Sequence, residues 1–482
     1  MKKIVTLLVA ALVCIGSLSA QSRTSYFMEG SYFRNDLNPA LAPTRGYLVL
    51  PGVSGVGLDM GTNFISVDNF IYQRDGKLVT AFHESVSSEE FLGKLPELGK
   101  MSLDAKVNVL GLGFYAGKMF WNIGVNANVS GNMSLSTDIF KALKNLGNQT
   151  YDLKSTTLNA NAYLDAYLGT SFRVHRCLSF GLKAKFLVGV AAIDAQFDEL
   201  SANVGSDAVR ANMSGQFRAN GIFLDGRNLQ YGQKLNFDEI LKFNWDYVPD
   251  AKSYGFAFDV GTEVRLWKNH IKISAALTDF GFIKWAANTR IDGEAKGNFS
   301  FDGVNLETSE VNADGGFELY SLGSSSEEYV TKLNFSINGG LEFNFLRNRI
   351  ALGVLSRNKF YGSTPDMELI ASLNLRPTNW LTATVSHTFL NGNRPGIFGA
   401  ALNFHAPLLN IYVGADYIDP NLVVGPTIAG MQTLMFRYGQ SLNLYAGVAL
   451  SFGRPKYMRE EARELKAEYK AKRELRRAKR NN

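Results

Sequence analysis

Strict two-residue alternation, repeated many times along the chain, limits what this sequence can fold into more than any other feature. Between Met119 and Ser130, Trp121, Ile123, Val125, Ala127 and Val129 share one parity, and Asn122, Gly124, Asn126, Asn128 and Ser130 share the other. An extended strand sends successive side chains to opposite faces, so this run has one apolar and one polar face. Leu158, Leu164 and Leu168 oppose Asn159, Asp165 and Tyr167 in the same way. Phe256, Phe258 and Val260 oppose Asp259 and Glu263, and Ile337, Leu341 and Phe343 oppose Asn338, Glu342 and Asn344. The last run sets Leu442, Leu444, Ala446, Val448, Leu450 and Phe452 against Asn443, Tyr445, Gly447 and Ser451.

Runs of this kind between about Tyr47 and Phe452 number roughly 14, within two, and an even number is expected of a closed membrane barrel. Each is about 9 to 12 residues long, the length of a tilted membrane-crossing strand rather than of a typical soluble one. A soluble sheet with one face on a core would alternate as well. The small polar residues on the second face, where soluble strands favour Lys and Glu, and the aromatics near strand ends favour the membrane. The expected class is therefore all-β, a transmembrane outer-membrane β-barrel of about 14 antiparallel strands.

The ends of the chain differ from this body. Lys2 and Lys3, the apolar run Ile4 to Ile15, and Ser17-Leu18-Ser19-Ala20 read as a signal peptide over 1–20, with Gln21 as the mature start. Val13 before Cys14 argues against a lipid anchor there. Cleavage would leave Cys177 as the single cysteine, so no internal disulfide is expected. Beyond residue 20 no stretch of about 18 apolar residues suggests a membrane helix. The formal charge of +6 is concentrated at the far end: residues 454–482 carry 12 Lys+Arg and 5 Glu, leaving 38 against 39 for residues 1–453. A nucleic-acid partner would rest on this tail alone, and none is expected.

In the tail over 454–482, the strand-breaking Gly453-Arg454-Pro455 is followed by residues 456–480 with no glycine or proline. Met458, Ala462, Leu465 and Tyr469 lie on one helical stripe, with Glu460/Arg463 and Glu468/Lys472 beside it. This predicts a basic periplasmic helix. Its partner would be peptidoglycan, anionic lipid or a periplasmic protein; the alternative is a solvated extension. Connections within the body are asymmetric. Arg176-Cys177, Lys268-Asn269-His270, Arg347-Asn348-Arg349 and Pro377-Thr378-Asn379 read as periplasmic turns. Ser130 to Ser155, Gln196 to Lys252 and Ala286 to Glu328 read as extracellular loops, the first with a short helix over Asp138 to Leu146.

The segment Ser25-Tyr26-Phe27-Met28-Glu29-Gly30-Ser31-Tyr32-Phe33-Arg34-Asn35-Asp36-Leu37-Asn38-Pro39-Ala40-Leu41-Ala42-Pro43 and the segment Thr278-Asp279-Phe280-Gly281-Phe282-Ile283-Lys284-Trp285 resemble an outer-membrane barrel family of unknown function found in Bacteroides-type bacteria. That family is similar in turn to FadL-type barrels, whose N-terminal hatch carries an Asn-Pro-Ala element; Asn38, Pro39 and Ala40 match it here. The resemblance implies a plug over 21–46 folded into a barrel over 47–453, the movement of small hydrophobic molecules, and a place in the cell outer membrane. Read from the residues alone, Asn38-Pro39 is equally an ordinary turn before the first strand. A barrel this wide must hold water, side chains or a folded segment, and 25 to 80 polar residues precede the first clear strand.

No catalytic constellation is expected, and the chain reads as a non-enzyme. His387 shares the parity of Val385 and Phe389 and so belongs to the lipid face; His405 has the opposite parity to Phe404 and no evident partner. Gly111-Leu112-Gly113 with Gly117-Lys118 lacks the spacing of a phosphate loop. No clustered ligands indicate a metal or any other cofactor. Expected partners are outer-membrane lipid and a small hydrophobic ligand. Two functions follow: a plugged transport channel, favoured by an apolar lumen path, or a structural and assembly barrel, favoured by a lumen packed with charged pairs.

Overall fold

A computed structural model of the chain describes residues 23–51, 55–64, 67–74, 77–144, 149–204, 209–236, 252–305, 310–325, 327–361, 364–390, 396–418, 423–428, 431–435 and 441–461, with 463, 464, 467, 471 and 474. The wall is a closed antiparallel barrel with 14 strand places. The first place, β1, is filled by two segments, Gly46–Val49 and Val56–Thr62. There follow β2 (Leu98–Ala116), β3 (Met119–Ser136), β4 (Thr157–His175), β5 (Leu178–Val204), β6 (Tyr254–Leu266) and β7 (Ile271–Trp285). The circuit continues with β8 (Phe335–Phe345), β9 (Ile350–Tyr361), β10 (Thr364–Leu375), β11 (Leu381–Leu390), β12 (Ile397–His405), β13 (Leu409–Ile418) and β14 (Ser441–Phe452). Closure is made by β1, where Leu48 and Leu58 pair with Leu450 and Leu444 of β14 on one side and with Leu112 and Ala105 of β2 on the other. Closing the circuit leaves the wall no unpaired edge.

The parity read from the sequence sorts the two faces. Ile123 and Leu168 are 51% and 53% exposed, whereas Asn122 and Asn126 between such positions are 1% exposed. Phe256 and Phe258 face out while Asp259 and Glu263 are buried, and Phe343 faces out while Asn338, Glu342 and Asn344 are buried. This inverts a soluble protein, in which buried charge is rare and large exposed apolar faces are small. A belt of outward Leu, Val, Ile and Phe on every wall strand is stable against hydrocarbon, and the chain is a transmembrane β-barrel. No helix among the described residues is long and apolar enough to cross a membrane.

Six connections at one end are short, including 117–118, 176–177, 267–270 and 346–349. Trp267 and Leu346 in two of them are 73% and 68% exposed, as expected of anchors at a lipid–water boundary. The other end differs from expectation. The stretches read as loops over 196–252 and 286–328 contain long strands: the upper part of β5 pairs with Val209–Gly221, that strand with Arg290–Asn305, and that one with Glu310–Leu322. These strands alternate as well, and Phe217, Ile291 and Leu319 on their apolar parity pack with Leu235 in a small core of their own. β3 likewise runs on to Ser136, well into the stretch from Ser130 expected to be a loop.

Residues 63–97 are not distinguished from the barrel in sequence, yet the described residues among them form a small cap between β1 and β2. Phe64, Tyr72 and Phe91 in it share a core with Phe140. Phe140 lies in the helix Asp138–Lys144, whose Asp138 pairs with Lys141 at 2.7 Å; Leu146, expected to end this helix, is outside the described residues. So are the expected signal peptide and Gln21.

Candidate functional site

The N-terminal segment packs against inward-facing side chains of the wall. Residues from Arg23 to Leu41 are almost all buried, with a short 3-10 turn at Thr24–Phe27 and one helical turn at Arg34–Leu37. The chain then reaches the short-turn end, where the Gly46 amide donates to the Gly453 carbonyl and β1 begins. Three groups of ion pairs hold the segment against the inner wall. At its start, Arg23 pairs with Glu368 of β10 at 2.7 Å and Asp59 of β1 at 3.1 Å; Arg357 of β9 pairs with the same two carboxylates at 2.9 and 3.5 Å. The backbone amide of Arg23 donates to Asp416 at 2.9 Å, and the Thr24 hydroxyl donates to the same carboxylate.

The second group centres on Asp36, which accepts from Lys183 of β5 at 2.7 Å and Lys106 of β2 at 3.0 Å. Burial alone would raise its carboxyl, but Lys106 and Lys183 hold it well below the usual carboxylate range. In the third, Glu29 pairs with Lys272 of β7 and accepts from Asn348 at 2.7 Å, and Arg376 donates to the Phe27 carbonyl at 2.8 Å. Lys272 also pairs with Glu342 at 3.0 Å, and Arg376 with the same carboxylate. Arg376 and Lys272 overcome the effect of burial and keep Glu29 ionised well below its ordinary range.

Asn38, Pro39 and Ala40 form a buried turn. The Leu41 amide donates to the Asn38 carbonyl and the Ala40 amide to the Asn38 side chain, both at 2.9 Å. The Asn38 amide group in turn donates to the carbonyls of Thr262 and Ala275 at 3.3 Å and to the Tyr26 hydroxyl at 3.2 Å. The Pro39 carbonyl accepts from Asn35 and Ser171. Two wall glycines make this contact flush: a Cβ on Gly181 of β5 would come within 2.0 Å of the Pro39 carbonyl carbon, and one on Gly261 of β6 within 2.1 Å of the Asn38 side-chain oxygen. Asn38, Pro39 and Ala40 therefore make both a turn and a seat on the inner wall.

On the opposite side the contact is aromatic. Met28, Tyr32 and Phe33 enter a recess formed by Tyr47 and Val49 of β1, Phe120 of β3, Tyr412 of β13 and Tyr445 of β14. The Phe33 and Tyr412 ring centroids are 4.0 Å apart, and those of Tyr32 and Tyr47 4.9 Å. With a second cluster, in which Tyr26, Phe27, Leu37 and Leu41 pack on Leu355 of β9 and Ile370 of β10, the recess interrupts a largely polar inner wall. Its tyrosines lie on the inward parity of their strands, a readable signal, but the sequence does not show that they converge.

Asp279 lies in the second segment that carries the family resemblance. It holds a left-handed φ of 61° at a β-bulge opposite Asp259, where both carboxylates meet Lys185 of β5. A cavity of about 60 Å³ borders this cluster, with Asp104, Lys106, Arg357 and Lys359 in its lining. His387 packs on the outward side between Phe389 and Phe398, and His405 lies against Gly30 of the segment. Gly117 adopts φ 63° in the turn between β2 and β3, which explains a glycine there without a phosphate. Among the described residues, no three Asp, Glu, His or Cys side chains are placed to share a metal ion.

A model of the family of unknown function DUF5723 matches residues 39–416. A search of curated proteins finds no match. Among solved structures, the chain is similar to the toluene transporter TbuX of Ralstonia pickettii at 9% identity, covering 86% of this chain and 92% of that one with a TM-score of 0.38. A FadL homologue of Pseudomonas aeruginosa is similar at 11% identity, 91% and 99% coverage and a TM-score of 0.39. The toluene transporter TodX of Pseudomonas putida gives 11%, 91%, 99% and 0.37. The barrel assignment itself rests on the strand pairing and face inversion described above.

Proposed function

This chain belongs to the DUF5723 family of unknown function, and on that premise we propose that it is an outer-membrane channel for small hydrophobic molecules, held closed by residues 21–46 as a plug. The aromatic recess carries this reading. Met28, Tyr32 and Phe33 fill an aromatic part of a largely polar inner wall, and a small aromatic or amphipathic solute competes for the same surface. Apart from the packing of Tyr26, Phe27, Leu37 and Leu41 on Leu355 and Ile370, the other contacts of the segment are mostly ion pairs and hydrogen bonds, which water can replace as the segment leaves. The short turns then lie in the periplasm and the long connections outside the cell, as in outer-membrane barrels generally.

Hydrogen exchange at the amides of residues 24–41, followed in lipid vesicles with increasing amounts of a substituted benzene, tests the proposal. Faster exchange at saturating solute is expected in the intact chain. Unchanged exchange would remove the transport reading. One observation favours a second reading: with Asp36, Glu29 and Arg23 all held by charged pairs, a segment that never leaves would make this a non-transporting barrel whose outer sheet and tail bind other envelope components.

A further inference from the structure

The short-turn mouth of the lumen contains a second site, independent of whether anything crosses the barrel. A cavity of about 330 Å³ lies between the N-terminal segment, the ends of β4, β6 and β8, and the start of the tail helix. Seven Lys or Arg side chains line it against three carboxylates, Glu29, Glu263 and Glu461, so its lining carries +4 with His270 neutral. The cations come from separate parts of the chain: Arg34 from the segment, Arg173 from β4, Arg265 from β6, Arg454 from beyond β14, and Lys268 and Arg347 from two turns.

Those two turns use the same device. Trp267, Lys268 and Asn269, and again Leu346, Arg347 and Asn348, are each three successive non-glycine residues at positive φ. Such conformations are unfavourable by about 1 kcal/mol or more per residue for most side chains, and they persist where the surroundings fix them. Each turn exposes its apolar residue, Trp267 or Leu346, and brings its basic residue to the cavity lining.

Two guanidinium nitrogens in the lining, Nε of Arg173 and Nε of Arg454, are buried with no hydrogen-bond acceptor. Buried donors left in this state are rare. Burial, followed by the neighbouring Arg45 and Arg459, pushes the Arg454 guanidinium below its usual value. Local acids do not balance this charge: Glu461 is engaged by Arg173 at 2.9 Å and Glu263 by Arg265.

We infer that this mouth is a binding site for a small, multiply charged oxyanion of the phosphate class, gripped jointly by the N-terminal segment, the wall turns and the start of the tail. Guanidinium forks on several sides suit a tetrahedral oxyanion, which accepts in all directions, better than a planar carboxylate, which accepts in one plane. The phosphate could be free in the periplasm or part of a lipid headgroup.

Calorimetric titration of the folded full-length chain in detergent, at constant ionic strength, tests this with inorganic pyrophosphate as probe. Saturable binding is expected, weakened at least tenfold in Arg34→Gln/Arg454→Gln and severalfold in Lys268→Gln. Lys268 lies on an exposed turn, so its variant keeps the test valid if the double variant fails to fold. Citrate is expected to bind more weakly than pyrophosphate. A soluble short-chain phosphatidic acid that binds more tightly than pyrophosphate would identify a lipid headgroup as the source, and weaker binding would identify free phosphate. No saturable binding, equal binding by the variants, or tighter binding of citrate would overturn the inference.

Discussion

The segment inside the barrel rests on two seats of opposite chemistry. On β5 and β6, glycines flatten the wall and Asn38-Pro39-Ala40 lies against backbone, so the fit depends on the absence of side chains. On β1, β13 and β14, rings fill the space and Met28, Tyr32 and Phe33 pack against them, so the fit depends on apolar area. A glycine seat discriminates by shape and gives little stabilisation by burial; an aromatic recess stabilises strongly and accepts other apolar occupants. On the proposed transport reading, the recess is where a solute would replace the segment, and the glycine seat is where the segment would find its register again.

Changes at each seat separate these roles. Phe33→Ala, on the recess side, is expected to have the largest effect, lowering the stability of the docked segment by about 3–5 kcal/mol; protease sensitivity of the segment in a folded barrel measures it. Asp36→Asn leaves Lys106 and Lys183 facing each other across a lost charge, and about 3 kcal/mol is expected from the breaking of a largely buried pair. Gly261→Ala should act through the other seat, at about 1–3 kcal/mol from overpacking against Asn38, while the heat-modifiable band of the barrel persists. Arg173→Gln releases the part-exposed Glu461 and is expected to loosen the tail by less than about 1 kcal/mol, seen as faster cleavage after residue 455.

The same comparison predicts a pH response. The carboxyl of Asp36 is depressed in the folded state, so it contributes stability above its ordinary value near about 4 and loses that contribution as pH falls through and below it. The segment should be released more readily at pH 3 than at pH 7, and Asp36→Asn should remove its share of this difference while the share of Glu29, also held low, persists. The aromatic recess contributes no such dependence, so Phe33→Ala should keep it.

What was legible in the sequence follows from which environment each part meets. Lipid demands apolar side chains on one parity, so Ile123, Leu168 and Phe258 announced the wall and its outward face. Water makes no such demand. Strands such as Val209–Gly221 and Arg290–Asn305 alternate too, with Phe217 and Ile291 packed with Leu235, but their Asn, Asp, Ser and Gly content reads as loop until their pairing is seen. The cap over 63–97 was missed because Phe64, Tyr72 and Phe91 converge without any fixed spacing. Asn38, Pro39 and Ala40 stood out as a motif, but nothing in their own spacing pointed to Gly181 and Gly261, which lie more than a hundred residues away. The charged pairs of the lumen were visible only as inward-parity Asp, Glu, Lys and Arg; the N-terminal partners Arg23, Glu29 and Asp36 carried no signal of their own.

Single-channel conductance of the full chain, compared with a variant lacking residues 23–44, tests the central claim most directly. Both should fold, as judged by a heat-modifiable band, because the wall closes through β1, β2 and β14 without that segment. A nearly silent full chain and a variant with large, steady conductance are the predicted result. Equal conductance from the two folded proteins would contradict the claim that this segment closes the barrel.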